Sequence, residues 1–152
     1  SDRHVIDRLY EASQAGVIVR LIVRGICVLR PGVAGLSENI SVHSIVGRFL
    51  EHSRLFYFYN DGAEDVFISS ADWMPRNLNE RIELLVPVEY GPHKERIKEI
   101  LRLNYEDNVN GHIMDQNGEY TYLADNRTGP AVNAQETFQQ LAERAVSGPE
   151  NG

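Results

Sequence analysis

Apolar residues recur along this chain with two different periods, and the places where the period changes mark its elements. Val5, Leu9 and Ala12 fall at helical spacing with polar residues between them and Gly16 behind them, which predicts an amphipathic helix over residues 2–15. From residue 17 to 23 the pattern becomes that of a strand, β-branched and apolar around Arg20, running out into Arg24-Gly25. Pro31-Gly32 and Gly35 keep residues 26–39 irregular. Strands follow at 40–46 and 55–59 with a short helical turn at 47–51 between them. Asn60-Asp61-Gly62 is a hairpin signal whose return strand is 65–69. Residues 72–79 read as a turn or a single helical turn, and 81–88 as a further strand that stops before Gly91-Pro92. Ile97, Ile100, Leu101 and Tyr105 share one face of a helix expected over 93–105. A small hairpin at 114–123 turns at Asn117-Gly118, Thr128-Gly129-Pro130 acts as a linker, and Phe138, Leu141, Ala142 and Ala145 form the stripe of a last helix over 133–146, ahead of a tail expected to be disordered. No internal repeat is visible. Interleaved strands and helices with one clear hairpin predict a single α/β domain, a mixed β-sheet flanked by α-helices.

Composition narrows the function classes. A chain of 152 residues with 42% hydrophobic residues can bury a core of its own. The formal net charge of −7 argues against a general attraction for nucleic acid or anionic lipid. One cysteine, Cys27, excludes an internal disulfide and a cysteine-rich zinc site and suits a reducing compartment, where it is expected to act as a small buried hydrophobe. No apolar run reaches the roughly 18 residues of a membrane span, and the opening SDRHVIDRLY lacks a signal peptide's apolar core, so a cytoplasmic location is expected.

The charge is unevenly distributed along the chain. Residues 82–152 hold twelve Asp/Glu against six Lys/Arg, whereas residues 17–60 hold Arg20, Arg24, Arg30, Arg48 and Arg54 against only Glu38 and Glu51. Thirteen of the fifteen basic residues are Arg, the side chain whose planar fork grips carboxylate or phosphate at two points. Pairing of strands 55–59 and 65–69 would bring His52 and Arg54 to the corner formed by Ser69, Ser70, Ala71 and Asp72. Such a corner offers an imidazole for proton transfer or attack, a fixed cation, two hydroxyls and a carboxylate able to orient the imidazole, which are the needs of phosphoryl transfer. The same residues also have structural roles open to them. His52 could cap the turn before it, Asp72 could cap the turn after it, Arg76 and Arg81 could pair with Glu80 or Glu83, and Ser70 could bond the local backbone. Trp73 and Met74 are expected in the core, and His43 is expected to be structural.

The string LIVRGICVLRPGVAGLSENISVHSIVGRFLEHSRLFYF, then the hairpin, then VFISSADWMPRNLNERIELLVPV, resembles the C-terminal catalytic domain of bacterial polyphosphate kinases, across roughly residues 5–123. This places residues 1–123 as the catalytic domain and residues 124–152 as linker, C-terminal helix and tail. The resemblance implies a phospholipase D-like fold, whose pattern is His-x-Lys and later Gly-Ser-x-Asn. Here it stands as His52-Ser53-Arg54 and Ser69-Ser70-Ala71-Asp72, with Tyr59 where an Asp is usual, departures that agree with the kinase branch rather than with phosphodiesterases.

What the resemblance implies for function is reversible transfer of the terminal phosphate of ATP to inorganic polyphosphate, through a phosphohistidine carried by a preceding domain that matches no stretch here. His52 is implied as the second active-site histidine, a phosphate contact and general acid or base, and Arg24 as an ATP phosphate ligand. A strand-terminal Arg before a glycine suits that role, because open α/β sheets bind ligands there. Arg54 joins them as a phosphate contact, with Ser69, Ser70, Asp72, Arg76, Asn77 and Arg81 behind. Mg2+ is expected to enter with ATP, with no protein ligand identified in this chain. Expected partners are ATP or ADP, polyphosphate and the remaining domains of a full-length homo-oligomeric kinase, for which membrane association stays open, and no nucleic acid. Alone, the chain is expected to have little kinase activity. The alternatives are a non-catalytic nucleotide- or polyphosphate-binding module and a phospholipase D-like phosphodiesterase assembled as a homodimer.

Overall fold

A computed structural model of the chain describes residues 1–147, so the expected tail falls mostly outside the described residues. Helix α1 (Arg3–Gln14) starts at Asp2, whose carboxylate accepts the Val5 N–H at 3.1 Å and caps the first turn. Strands β1 (Val19–Ile22) and β2 (Ile40–Ile45) follow, then β3 (Leu55–Phe58) and β4 (Asp65–Ser69), helix α2 (Pro75–Glu80) and strand β5 (Leu85–Pro87). Helix α3 (Gly91–Glu106), strands β6 (Gly111–Met114) and β7 (Tyr120–Tyr122), and helix α4 (Ala134–Ser147) complete the order. Every strand and long helix expected from the apolar pattern is present. Residues 47–51 form no helical turn, and the expected mixed sheet is accompanied by a second sheet.

The mixed sheet has the order β1-β2-β6-β7, with β1 parallel to β2 and the other pairs antiparallel. The second sheet, β3-β4-β5, is antiparallel throughout, and no ladder joins it to the first among the described residues. The division follows from residues 46–54, which lie between β2 and β3 with no regular structure, so β3 pairs with its hairpin partner β4 instead of extending the first sheet. The hairpin turn requires left-handed backbone at Asn60, Asp61, Gly62 and Glu64, three of which are turn-favouring residue types.

Strand β2 is buried on both faces, and its two faces have different partners. Ile40 and Val42 meet Leu29 and Met114 in a core over which Ile6, Leu9 and Tyr10 of α1 pack. On the opposite face, the Ser41 hydroxyl lies 2.9 Å from the Tyr105 hydroxyl and His43 stacks on the Tyr105 ring at 4.1 Å, so α3 covers this side. The arrangement is helix, sheet, helix. The second sheet is tied to α3 by Lys94 and Lys98, the chain's only two lysines. Lys94 donates to the Glu64 carbonyl at 2.9 Å and Lys98 to its carboxylate at 2.8 Å. Both bonds end on Glu64, the last left-handed residue of the β3–β4 turn. Helix α4 begins at Asn133, whose side chain accepts the Glu136 N–H, while the fully buried Asp107 accepts the Ala134 N–H at 2.8 Å.

His43 is the buried titratable group of the main sheet, and its Nδ1 has no hydrogen-bond partner. Burial pushes its pKa below the ordinary 6.5 against an opposing main-chain interaction at Tyr105, and the nearby Arg20 charge adds to the lowering. The unfolded chain therefore binds this proton more readily than the folded one, so the stability His43 contributes is present above pH 6.5 and is lost as the pH falls below it. The chemical unfolding midpoint of wild type, taken relative to that of His43→Phe, is expected to fall as the pH is lowered from about 7.5 to about 5.

Candidate functional site

The carboxyl ends of the parallel pair β1 and β2 lie side by side, and the chain leaving β1 reaches Arg24 two residues later, after the Val23 N–H has bonded the His43 carbonyl. From the other sheet, the main chain of Arg54 enters β3 and accepts the Ser69 N–H at 2.9 Å. The start of β3 thus lies beside the end of β4, as the hairpin required. Beyond Ser69 the chain is turned by its own hydroxyls. Ser69 Oγ accepts the Ala71 N–H and donates to the Leu84 carbonyl, and Ser70 Oγ accepts the Leu84 N–H. This double stitch holds the corner in place and delivers Asp72 to the gap between the two sheets.

At that point Asp72 is gripped from both sides. Arg54 Nε donates to Oδ1 at 3.0 Å and Nη2 to Oδ2 at 3.3 Å, a two-point fork from the second sheet. Arg24 Nη2 approaches Oδ1 at 3.5 Å from the first. All three side chains are about a quarter to a third exposed, so the group is open to a ligand without being fully solvated. The Arg54 hydrogen bonds hold the Asp72 carboxyl below the usual Asp range against an opposing burial effect, with both guanidinium charges adding to the shift. Two cations share one anion, which leaves one positive charge in excess at this point.

His52 is exposed, and its main-chain carbonyl accepts a hydrogen bond from Arg54 Nη1 at 3.0 Å. Arg54 therefore connects the His52 backbone to Asp72. The imidazole is not oriented by Asp72, as the sequence suggested it could be, because both carboxylate oxygens are engaged by arginine. It borders an open groove of about 450 Å³ between residues 49–53 and α4.

The remaining candidates divide into two groups. Ser70, Asn77 and Arg81 gather on Glu83, with Ser70 Oγ at 2.5 Å, Asn77 Nδ2 at 2.8 Å and Arg81 Nε at 3.8 Å. The two short hydrogen bonds lower the Glu83 pKa, that from Ser70 first. Ser69 links this group to the corner, and Asn77 is buried in α2. Arg76 lies on the exposed side of α2, away from any ion pair among the described residues. Trp73 stacks on Phe56 at 5.0 Å, whereas Met74 is the residue preceding Pro75 at the start of α2 and is 42% exposed. Asp72 therefore does not cap α2. Sequence reasoning missed Gln135, a buried amide in the first turn of α4 that bonds the main chain of Phe49. No spacing rule marks such a residue, because its partner lies 86 positions away.

Among the described residues no group of three or more His, Cys, Asp or Glu is placed to hold a metal ion. The one carboxylate at the corner is already committed to two guanidiniums.

The family model described as polyphosphate kinase C-terminal domain 2 matches residues 1–135. A polyphosphate kinase of Rhodopirellula baltica is 52% identical over 148 residues, which are 97% of this chain and 17% of that protein. One of Halalkalibacterium halodurans is 51% identical over 144 residues, 95% of this chain and 20% of that protein. The crystal structure of polyphosphate kinase from Porphyromonas gingivalis matches with a TM-score of 0.88 and 41% identity over 97% of this chain and 23% of that one. The chain thus spans about a fifth of the length of the curated relatives it matches. Its α/β fold is the phospholipase D-like arrangement of that enzyme.

The geometry at Asp72 makes a graded prediction. Followed by carboxyl carbon NMR, Asp72 is expected to titrate below the ordinary 3.8, to move upward in Arg54→Ala, and to move upward by less in Arg24→Ala, because the Arg54 hydrogen bond is the largest cause of its shift.

Proposed function

The chain belongs to the polyphosphate kinase C-terminal domain 2 family, and from that premise we propose that it supplies one half of the active site of an enzyme that moves the terminal phosphate of ATP reversibly onto inorganic polyphosphate. The observation that carries this reading is the convergence of Arg24 and Arg54, from separate sheets, on one shared carboxylate beside His52.

The chemistry needs what these residues have. In phosphoryl transfer the bond between the γ-phosphorus and the bridging oxygen breaks as a bond to the acceptor forms, and negative charge spreads over the peripheral oxygens. Arg24, at the carboxyl end of β1, presents donors to an ATP phosphate, and Arg54, anchored by Asp72, adds a fixed cation. Because these cations are positioned before the substrate arrives, little reorganisation is needed when charge develops. His52, exposed at the rim, contacts the phosphates and gives or takes a proton. The acceptor in the first half-reaction is a histidine of a preceding domain, which takes the phosphoryl group as ADP leaves. In the second half-reaction a terminal polyphosphate oxygen takes the group and the histidine is regenerated. Ser69, Ser70, Asn77 and Arg81 hold the corner in shape through Leu84 and Glu83. Magnesium would enter with the nucleotide and shield its phosphate charge.

Residues 1–123 are read as the catalytic domain, with the linker, helix and tail of residues 124–152 attached to it. The rest of a longer, homo-oligomeric, cytoplasmic enzyme completes the site. In support of this, Ile82 is fully exposed and Leu84, Leu85 and Val86 lie open on and beside edge strand β5, an apolar strip of the kind that another domain covers. No helix among the described residues is long and apolar enough to cross a membrane.

In calorimetric titration of this chain with magnesium ATP or tripolyphosphate, Arg24→Ala and His52→Ala are each expected to weaken binding about tenfold or more, equivalent to about 1.4 kcal/mol, while Arg8→Ala on α1 changes nothing. Undiminished affinity in both active-site variants, or robust ATP-dependent polyphosphate synthesis by this chain alone, would overturn the reading.

A further inference from the structure

The segment that carries His52 has no regular structure of its own, yet its main chain is fixed at one point. Gln135 in α4 is 7% exposed, and its side-chain amide meets Phe49 as a second peptide group would. Oε1 accepts the Phe49 N–H at 3.0 Å, and Nε2 donates to the Phe49 carbonyl at 2.7 Å and to a Glu51 carboxylate oxygen at 2.6 Å. Holding both polar groups of one residue fixes the orientation of its main chain as well as its position, and Phe49 lies three residues before His52. The neighbouring sequence accommodates the clamp. A Cβ on Gly47 would lie 2.5 Å from Gln135 Oε1, so the segment passes Gln135 at a position without a side chain.

The clamp is itself anchored. Asp107, with no exposed surface, accepts the Ala134 N–H with one carboxylate oxygen and the Val109 and Asn110 N–H groups with the other. The start of α4 is thereby bound to the chain between α3 and β6, which belongs to the main sheet. Rigid structure extends from that sheet through Asp107 and Gln135 to the main chain before His52, while Arg54 Nη1 holds the His52 carbonyl from the other side. The imidazole has a fixed backbone on both sides despite standing in an irregular segment.

We propose that Gln135 is a positioning residue for His52, so that the start of α4 sets the aim of the active-site imidazole. The proposal rests on the reading of His52 given above. A side chain that must meet a reacting phosphate needs its backbone held to a fraction of an ångström, and a misplacement of about 1 Å can cost on the order of a hundredfold. An irregular segment cannot supply that accuracy without a clamp.

The test uses this chain with Gln135→Met, which keeps the volume and removes the amide, and Gly47→Ala, whose Cβ would collide with the Gln135 amide and disturb the clamp from the side of the segment. Both are expected to speed hydrogen exchange at the Phe49 amide about tenfold while amides of the main sheet, such as Val42, are unchanged. Both are expected to weaken magnesium ATP binding several-fold when His52 is present and to have almost no further effect in a His52→Ala background. Unchanged Phe49 exchange in both variants, an ATP affinity unaffected by either while His52→Ala reduces it, or an equal loss with and without His52 would each overturn the proposal. Full affinity in His52→Ala itself would overturn the reading beneath it, and is distinguished by that single variant.

Discussion

The Asp72 carboxylate lies between two guanidinium groups that reach it from different sheets, and this pairing fixes the geometry on which the site depends. The two sheets share no ladder among the described residues, so no backbone hydrogen bond sets the distance between Arg24 and Arg54. Without the carboxylate, two like charges a few ångströms apart would repel and their flexible side chains would separate. With it, they are brought within reach of one anion. Asp72 thus connects the sheets and holds two guanidiniums at one point, the arrangement proposed to receive phosphate.

The rest of the fold serves that connection. The Ser69 and Ser70 hydroxyls fix the corner from which Asp72 projects. Lys94 and Lys98 hold the turn of the second sheet to α3, and the carboxylate contacts of Lys98 raise its pKa well above the ordinary value, so this tie stays charged. Ahead of α1, the Asp2 N–H donates to the Trp73 carbonyl at 3.1 Å, which ties α1 to the residue after Asp72. Each such contact is exposed or partly exposed and contributes little on its own. Acting together at one seam they define a geometry, since opening the seam breaks several at once.

Much of the fold was legible in the sequence because its elements are local. Periodicity placed the strands and long helices within a few residues, and Asn60-Asp61-Gly62 identified the hairpin that brings Arg54 next to Ser69. The division into two sheets was not legible, because it depends on what residues 46–54 fail to form, and the bulky apolar residues Phe49 and Leu50 imitate a helical turn while lying exposed. At the site, the gathering of Arg54 and Asp72 followed from strand pairing, but the direction of the carboxylate did not. Sequence adjacency suggested that Asp72 faces the imidazole, whereas two long arginine side chains, each able to reach across the gap, outcompete it. Gln135 was invisible for a related reason, since a clamp made by one amide on a distant main chain leaves no pattern in either segment.

If Arg24 and Arg54 form a single anion-receiving unit through Asp72, their Nε–H resonances in the chain titrated with tripolyphosphate should report it. The two resonances are expected to shift together with one saturation midpoint, and in Asp72→Ala the two midpoints are expected to separate and both to move to higher concentration. Independent midpoints in the wild type, or an unchanged common midpoint once Asp72 is removed, would contradict it.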